Sequence, residues 1–216
     1  MFSGMSKLAS LDGLQNWDVS HVTDMYCMFD WTSSLSNVDE LSNWDVSNVT
    51  KMSNMFRGSK IMNVNGLANW HPYNVTNFAY VFSNTSRLTD ISGLSGWFDT
   101  DEHSKVTVME SLFDGAVITN LDALANWKTP NLTNLKNAFS NNVNLTNVDG
   151  LEHWNTSKLK YVDGMFSGDT SITAADAFSK LNDWDTTKLT NMTDTFKDVP
   201  DSAIRPTWYS EPDSGN

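Results

Sequence analysis

Apolar positions along the chain recur with one long period. Tryptophans stand at Trp17, Trp44, Trp70, Trp97, Trp127, Trp154 and Trp184, separated by 27, 26, 27, 30, 27 and 30 residues. A leucine lies three residues before each of them, from Leu14 and Leu41 to Leu151 and Leu181. A phenylalanine follows 12 residues later at Phe29, Phe56, Phe82, Phe139, Phe166 and Phe196, and 16 residues later at Phe113, so the unit that starts at Trp97 carries a four-residue insertion. A fixed period of this length is the mark of a repeat architecture.

Within each unit two local patterns alternate. Val49, Met52, Met55 and Phe56 place apolar side chains at i, i+3, i+6 and i+7, which predicts one face of a short helix. Thr129-Pro130 fits the start of that helix, with proline at the first helical position, and Ser20 and Ser47 offer similar caps. After the phenylalanine a polar turn leads into Leu35-Ser36-Asn37-Val38-Asp39-Glu40-Leu41, which predicts a short strand. A unit of ~27 residues cannot bury both of its elements alone, so successive units must stack. The predicted fold is α/β: a leucine-rich-repeat-like solenoid with one short strand and one short helix per coil and a parallel sheet on one side. The right-handed preference of parallel crossovers makes the expected coil right-handed. Asparagines precede the strand residue at Asn37, Asn63, Asn120 and Asn147 and the tryptophan at Asn16, Asn43, Asn69 and Asn126, which predicts a buried amide ladder.

The solenoid is expected to span residues 1–209 as a single unit, with 210–216 a polar tail. Met1-Phe2-Ser3-Gly4 has the form of Met165-Phe166-Ser167-Gly168, so the first coil reads as cut. Pro200 and Pro206 bracket Trp208-Tyr209 in what reads as a closing cap. Of 216 residues 39% are hydrophobic, enough for a core, and the formal net charge of −12 argues against nucleic acid or an anionic membrane as the main partner. Apolar runs are too short for a membrane span, and the first residues lack the basic and apolar regions of a secretion signal. The lone Cys27 can form no internal disulfide, so stability must come from packing.

Candidate chemistry is sparse. No phosphate-cradling loop, metalloprotease helix or nucleophile elbow is present, and His21, His71, His103 and His153 are out of register with one another. No catalytic residue, metal ligand or cofactor is expected. Asp99, Asp101 and Glu102 form one dense acidic group, read as a solvated turn within the insertion. The sequons at Asn48, Asn74, Asn131, Asn144 and Asn191 follow from repetition, most at one repeat position. Cys27 reads as a buried or half-buried thiol, the register tryptophans as core, and Trp31, which is out of register, as exposed.

Leu41-Ser42-Asn43-Trp44-Asp45-Val46-Ser47-Asn48-Val49-Thr50, running on to Met55-Phe56, resembles the BspA-like leucine-rich repeat of bacterial surface proteins, the type found in lactic-acid bacteria and mycoplasma lipoproteins. The signature drifts at Val81-Phe82, Leu112-Phe113, Ala138-Phe139 and Thr195-Phe196. The resemblance implies a secreted or surface-displayed, non-enzymatic module that adheres to a host or cell-surface protein or glycan, as a monomeric fragment of a larger surface protein. It identifies neither partner nor binding residues. A spacer that displays another domain and, less favoured, a polysaccharide-degrading solenoid are the rival readings.

Overall fold

Backbone hydrogen bonds in this chain run mainly between coils, and this decides which local structures form. In the computed structural model, which describes residues 1–100 and 104–210, Met25, Cys27, Phe29 and Trp31 donate their N–H groups to Lys51, Ser53, Met55 and Arg57 of the next coil at 2.8, 3.1, 2.8 and 2.6 Å. The intervening residues Met28, Asp30 and Thr32 donate to the carbonyls three residues back. With Tyr26 N–H on Asp24 Oδ1, the main-chain donors from Met25 to Thr32 are all used, four across the coil boundary, three in tight turns and one on a side chain.

This is a correction to the predicted helix. Among the described residues there is no α-helix; the segment from Met25 to Thr32 and its equivalents form linked turns. Two residues per coil, four apart, have positive φ: Cys27 and Trp31 at 53° and 54°, Asn54 and Gly58 at 61° and 68°, Asn137 and Asn141 at 52° and 60°. Each stands at the third position of a turn, where φ > 0 defines type II geometry. Turns of this length send a side chain inward every three or four residues, so their apolar spacing imitates a helix. Most of the left-handed positions carry Gly, Asn or Asp, which tolerate that conformation, and Cys27, Trp31, Tyr80 and Ser111 do not. Thr129 and Pro130 likewise begin a turn closed by Leu132 N–H on Thr129 O rather than a helix. The Ser20 and Ser47 N–H groups bond Asp18 and Asp45 instead of capping a helix start.

The predicted strand is also relocated. Parallel pairing is limited to isolated bridges, and most lie seven residues after tryptophan, at the start of the turn segment: Asp24 with Lys51, Val108 with Asn134, Asn134 with Tyr161, and Tyr161 with Asn191. In the 35–41 region the corresponding bridge is Asn63 with Asp90. The last residues of that region wind into 3₁₀ turns, Asp39–Leu41 and its equivalents Leu14–Asn16, Asn65–Leu67, Ser92–Leu94, Asp122–Leu124, Asp149–Leu151 and Ser179–Asp183. They begin where Asn37, Asn63, Asp90 and Asn120 accept the N–H two residues on. These amides are exposed or half-buried and act within their own coil, so the buried ladder expected of them is absent; short Asx turns consume the side-chain oxygens. Amides that do bridge coils stand elsewhere: Asn48, Asn74 and Asn131 donate Nδ2 to Ser20, Ser47 and Ser104 carbonyls at 2.7, 2.7 and 3.1 Å.

Leucine three residues before tryptophan has a mechanical role. The Leu41 carbonyl takes the Trp44 backbone N–H at 3.0 Å and the Trp70 indole N–H of the next coil at 2.9 Å. The same indole bond joins Trp44 to Leu14, Trp97 to Leu67, Trp127 to Leu94, Trp154 to Leu124, Trp184 to Leu151 and Trp208 to Leu181. The register indoles, all but Trp17 anchored in this way, stack at 6.1 to 6.5 Å between centroids from Trp17 to Trp154, and again from Trp184 to Trp208. A second stack runs from Phe2 through Phe29 to Phe196 at 5.4 to 6.1 Å. Together with the leucines these rings form one continuous interior. Each buried indole removes ~150–250 Å² from water, worth about 4–6 kcal/mol before entropy is charged against it. At the far end Arg205 closes the solenoid: its guanidinium donates to the Val199, Pro200 and Ala203 carbonyls, and it lies 5.5 Å from the Phe196 ring centre.

Candidate interaction surface

Outward side chains of the turn segment pair across coils. Lys51 meets Asp24 at 3.1 Å, Arg57 meets Asp30, and Lys136 meets Asp163 at 3.5 Å. Tyr80 donates its hydroxyl to Glu110 at 3.0 Å, and burial together with that acceptor raises the phenol above its ordinary range. On this face opposite charges offset one another. The 3₁₀ edge is different: Asp39, Glu40, Asp90, Asp122 and Asp149 lie in or beside its turns, and Lys180 reaches across to Glu152 at 3.3 Å.

One patch of the turn face departs from the repeat. Tyr26 and Trp31 are 58% and 50% exposed, whereas Phe29 between them is fully buried. Trp31 occupies a left-handed position whose equivalents in the other coils are Gly4, Gly58, Asn84, Gly115, Asn141, Gly168 and Asp198. A bulky residue with φ > 0 is strained, and strain of this kind marks positions worth a functional hypothesis. The space it needs comes from Gly58 in the next coil, where a Cβ would stand 2.6 Å from Trp31 Cε3. Beside it the Arg57 guanidinium holds Asp30 through two bonds, Nε to Oδ1 at 2.8 Å and Nη2 to Oδ2 at 3.2 Å. That pairing raises Arg57 above its ordinary value. The Tyr26 phenol is raised chiefly by Cys27, with Arg57 and Asp30 also acting on it, so these side chains form one neighbourhood. Cys27 is half-buried, as its sequence position suggests, though in a turn and not on a helix.

A groove of about 530 Å³ opens on the 3₁₀ edge between Asp90 and Asn120, lined also by Thr89, Ser92, Thr119 and Asp122. Its origin lies in the backbone. Met62 O takes the N–H groups of Thr89 and Asp90, and Thr119 O takes that of Thr146. Between these coils the Thr89 carbonyl receives no N–H from Thr119 or Asn120, and the coils part there.

The residues weighed for chemistry do not converge. His21 lies beside Ser20 Oγ, His71 stacks on Tyr73, and His153 is exposed. Asp99 accepts the Tyr73 hydroxyl at 2.8 Å; burial and that contact push the phenol up to about 12. Asp101, Glu102 and His103 lie outside the described residues. Among the described residues no three His, Cys, Asp or Glu side chains gather to hold a metal ion, and no helix is long and apolar enough to cross a membrane. Trp31 was legible as an exposed residue because it breaks register; nothing in the sequence joined it to Arg57, 26 residues away.

The profile of the family described as "Mycoplasma protein of unknown function, DUF285" matches residues 1–116 and 97–206, which bears out the resemblance to a BspA-like repeat. No curated protein matches the chain. Two solved structures are similar in part: a leucine-rich repeat protein from Bacteroides ovatus, at 15% identity and a TM-score of 0.44, and internalin C2 from Listeria monocytogenes, at 18% identity and 0.33. The first match covers 71% of this chain and 34% of the Bacteroides protein, so the chain spans about a third of that relative's length; the second covers 78% and 76%.

Proposed function

We propose that this chain, which belongs to the mycoplasma DUF285 family, is a non-catalytic binding module of a surface-displayed protein, adhering to a host or cell-surface protein or glycan through the turn face of its first coils. The observation that carries the reading is the Tyr26–Trp31 pair. Indoles and phenyl rings in register are spent on stacking, and these two stand outside it, exposed beside a rigid Arg57–Asp30 pair. Tryptophan, tyrosine and arginine are the residues most enriched where binding energy concentrates. An extended solenoid face suits contact over a broad surface.

The test is binding of the purified chain to immobilised matrix proteins, mucins and a glycan array, with Trp31→Ala and Tyr26→Ala beside it. Each exposed side chain can be truncated with little effect on the interior. The expected result is retention of wild type on at least one ligand and a loss of tenfold or more in either variant, about 1.4 kcal/mol. Equal retention of wild type and both variants removes the patch from the reading. No retention by any ligand favours a spacer.

A further inference from the structure

Three residues after each ladder phenylalanine from Phe29 to Phe196 the chain places an inward side chain: Thr32, Ser59, Thr85, Ala116, Asn142, Asp169 and Val199. Three of these side chains give a hydrogen to the phenylalanine carbonyl of their own coil, whereas the buried Ser59 Oγ has no partner. Thr32 Oγ1 donates to Phe29 O at 2.7 Å, Thr85 Oγ1 to Phe82 O at 2.6 Å, and Asn142 Nδ2 to Phe139 O. Asn142 Nδ2 also reaches Phe113 O and Ser140 O, so the orientation of its amide is fixed by three acceptors and its Oδ1 is left without a donor.

Asp169 is the acid in this series. Its side chain is fully buried; Oδ1 accepts the Asn142 backbone N–H at 2.7 Å, and Oδ2 has no partner. An ionised carboxylate offers only acceptors, yet the groups left for it are acceptors too: Asn142 Oδ1, which has no partner, and the Phe166 carbonyl, which takes one N–H, that of Asp169, and keeps a second lone pair. Buried polar groups are paired in native proteins, and here a proton on Oδ2 is what pairs them.

We propose that Asp169 sits in the folded solenoid as a neutral carboxylic acid, donating from Oδ2 to Asn142 Oδ1 or Phe166 O, and so makes the junction between the Phe139 and Phe166 coils a pH-sensitive latch. The surroundings agree. Burial pushes this carboxyl well above its ordinary value; the Asn142 N–H opposes the shift, and the charge of Asp114 adds to it. From the following coil the register position is Val199, whose carbonyl holds the Arg205 guanidinium. The other displaced carboxyls among the described residues, Asp18, Asp24, Asp45, Asp90 and Asp185, move down. Because the folded value is raised, the native state holds a proton that the unfolded chain has released. The latch is fully closed below the unfolded carboxyl value of about 3.9 and weakens as pH rises from there toward the folded value.

Asp169→Asn supplies the same donor without a titration. Urea midpoints of wild type and D169N are compared from about pH 4 to about pH 8. The midpoint of wild type relative to D169N falls steadily as pH rises; a constant offset between the two overturns the proposal. Infrared spectroscopy of wild type at neutral pH gives the second reading and needs no variant to fold. A protonated-carboxyl band supports the assignment, and its absence overturns it.

Discussion

Replacing Trp127 by phenylalanine tests whether the indole ladder is held by its hydrogen bonds or only by packing. Trp127 is 2% exposed, lies 6.5 and 6.1 Å from Trp97 and Trp154, meets Phe98 edge-on at 4.9 Å, and donates Nε1–H to Leu94 O at 2.8 Å. Phenylalanine keeps an aromatic ring in the stack but loses roughly 50 Å² of buried surface, worth about 1.3 kcal/mol. It also removes the indole donor. Leu94 O keeps the Trp97 backbone N–H, so the lost bond costs about 0.5–1.5 kcal/mol and not a full desolvation penalty. The total is about 2–3 kcal/mol, a large share of the stability of a domain this size. Trp17 provides the matched control: it is 41% exposed and stacks on Trp44 on one side only, and it makes no indole bond to a leucine carbonyl. There the same change costs less than about 0.5 kcal/mol. Urea denaturation followed by far-ultraviolet circular dichroism measures both variants. A Trp127→Phe cost no larger than the burial share of about 1.3 kcal/mol would show that the ladder is hydrophobic filling and that the indole bond to leucine is incidental.

Two further perturbations probe the backbone and the carboxylates. Gly66→Ala places a Cβ on the Val38 carbonyl oxygen and 2.6 Å from Asp39 Cα, which are main-chain atoms that cannot step aside, whereas Gly96→Ala meets nothing within 4 Å; thermal melting is expected to show G66A strongly destabilised and G96A neutral or slightly stabilised through its less flexible unfolded chain. The carboxyls of Asp18, Asp45 and Asp185 are held below their ordinary value by the hydroxyls and N–H groups of Ser20, Ser47 and Thr187. Their contribution is present above the unfolded value of about 3.9 and disappears as pH falls through the folded values. Acid titration of the triple Asp→Asn variant is expected to flatten the low-pH limb of the stability curve, and an unchanged limb would assign acid sensitivity to other groups.

How much of this was legible depends on which physical constraint each residue reports. Trp44, Phe56 and Leu41 report burial, and burial together with period is enough to give a stacked solenoid whose register tryptophans are interior from Trp44 to Trp184; Trp17, expected in the core with them, is 41% exposed because it stacks on an indole on one side only. The conformation of the backbone between them is not reported in the same way. Val49, Met52 and Met55 occur at helical spacing because two successive tight turns point inward at nearly the interval of a helix, so the periodicity cannot separate the two. The distinguishing signal was present but differently placed. Asn54, Gly58, Asn84, Gly115, Asn137 and Asn141 recur at the two left-handed positions, in a segment where a helix of eight residues would rarely tolerate them. Their recurrence as asparagine equally predicts buried amides. Composition alone cannot tell an amide used for its hydrogen bonds from one used for its tolerance of positive φ.

The same distinction explains where function could be seen and where it could not. A repeat defines what each position must do, so a departure from it is informative in proportion to its cost. Thr195 or Leu112 in place of the usual residue costs little and says little. Trp31 costs more, since a left-handed position filled elsewhere by glycine, asparagine or aspartate carries a large ring that needs Gly58 in the next coil to make room. Asp169 is the inward counterpart: at a position where other coils place a hydroxyl, an amide or a methyl group, it puts a group that fits only with a proton attached. Both residues can be found by reading columns down the solenoid instead of residues along the chain. In sequence terms Trp31 shows only as a tryptophan out of register and Asp169 as one aspartate among many; their cost appears when the fold supplies the column, Gly, Asn or Asp beside Trp31 and Thr, Ser, Ala, Asn or Val beside Asp169.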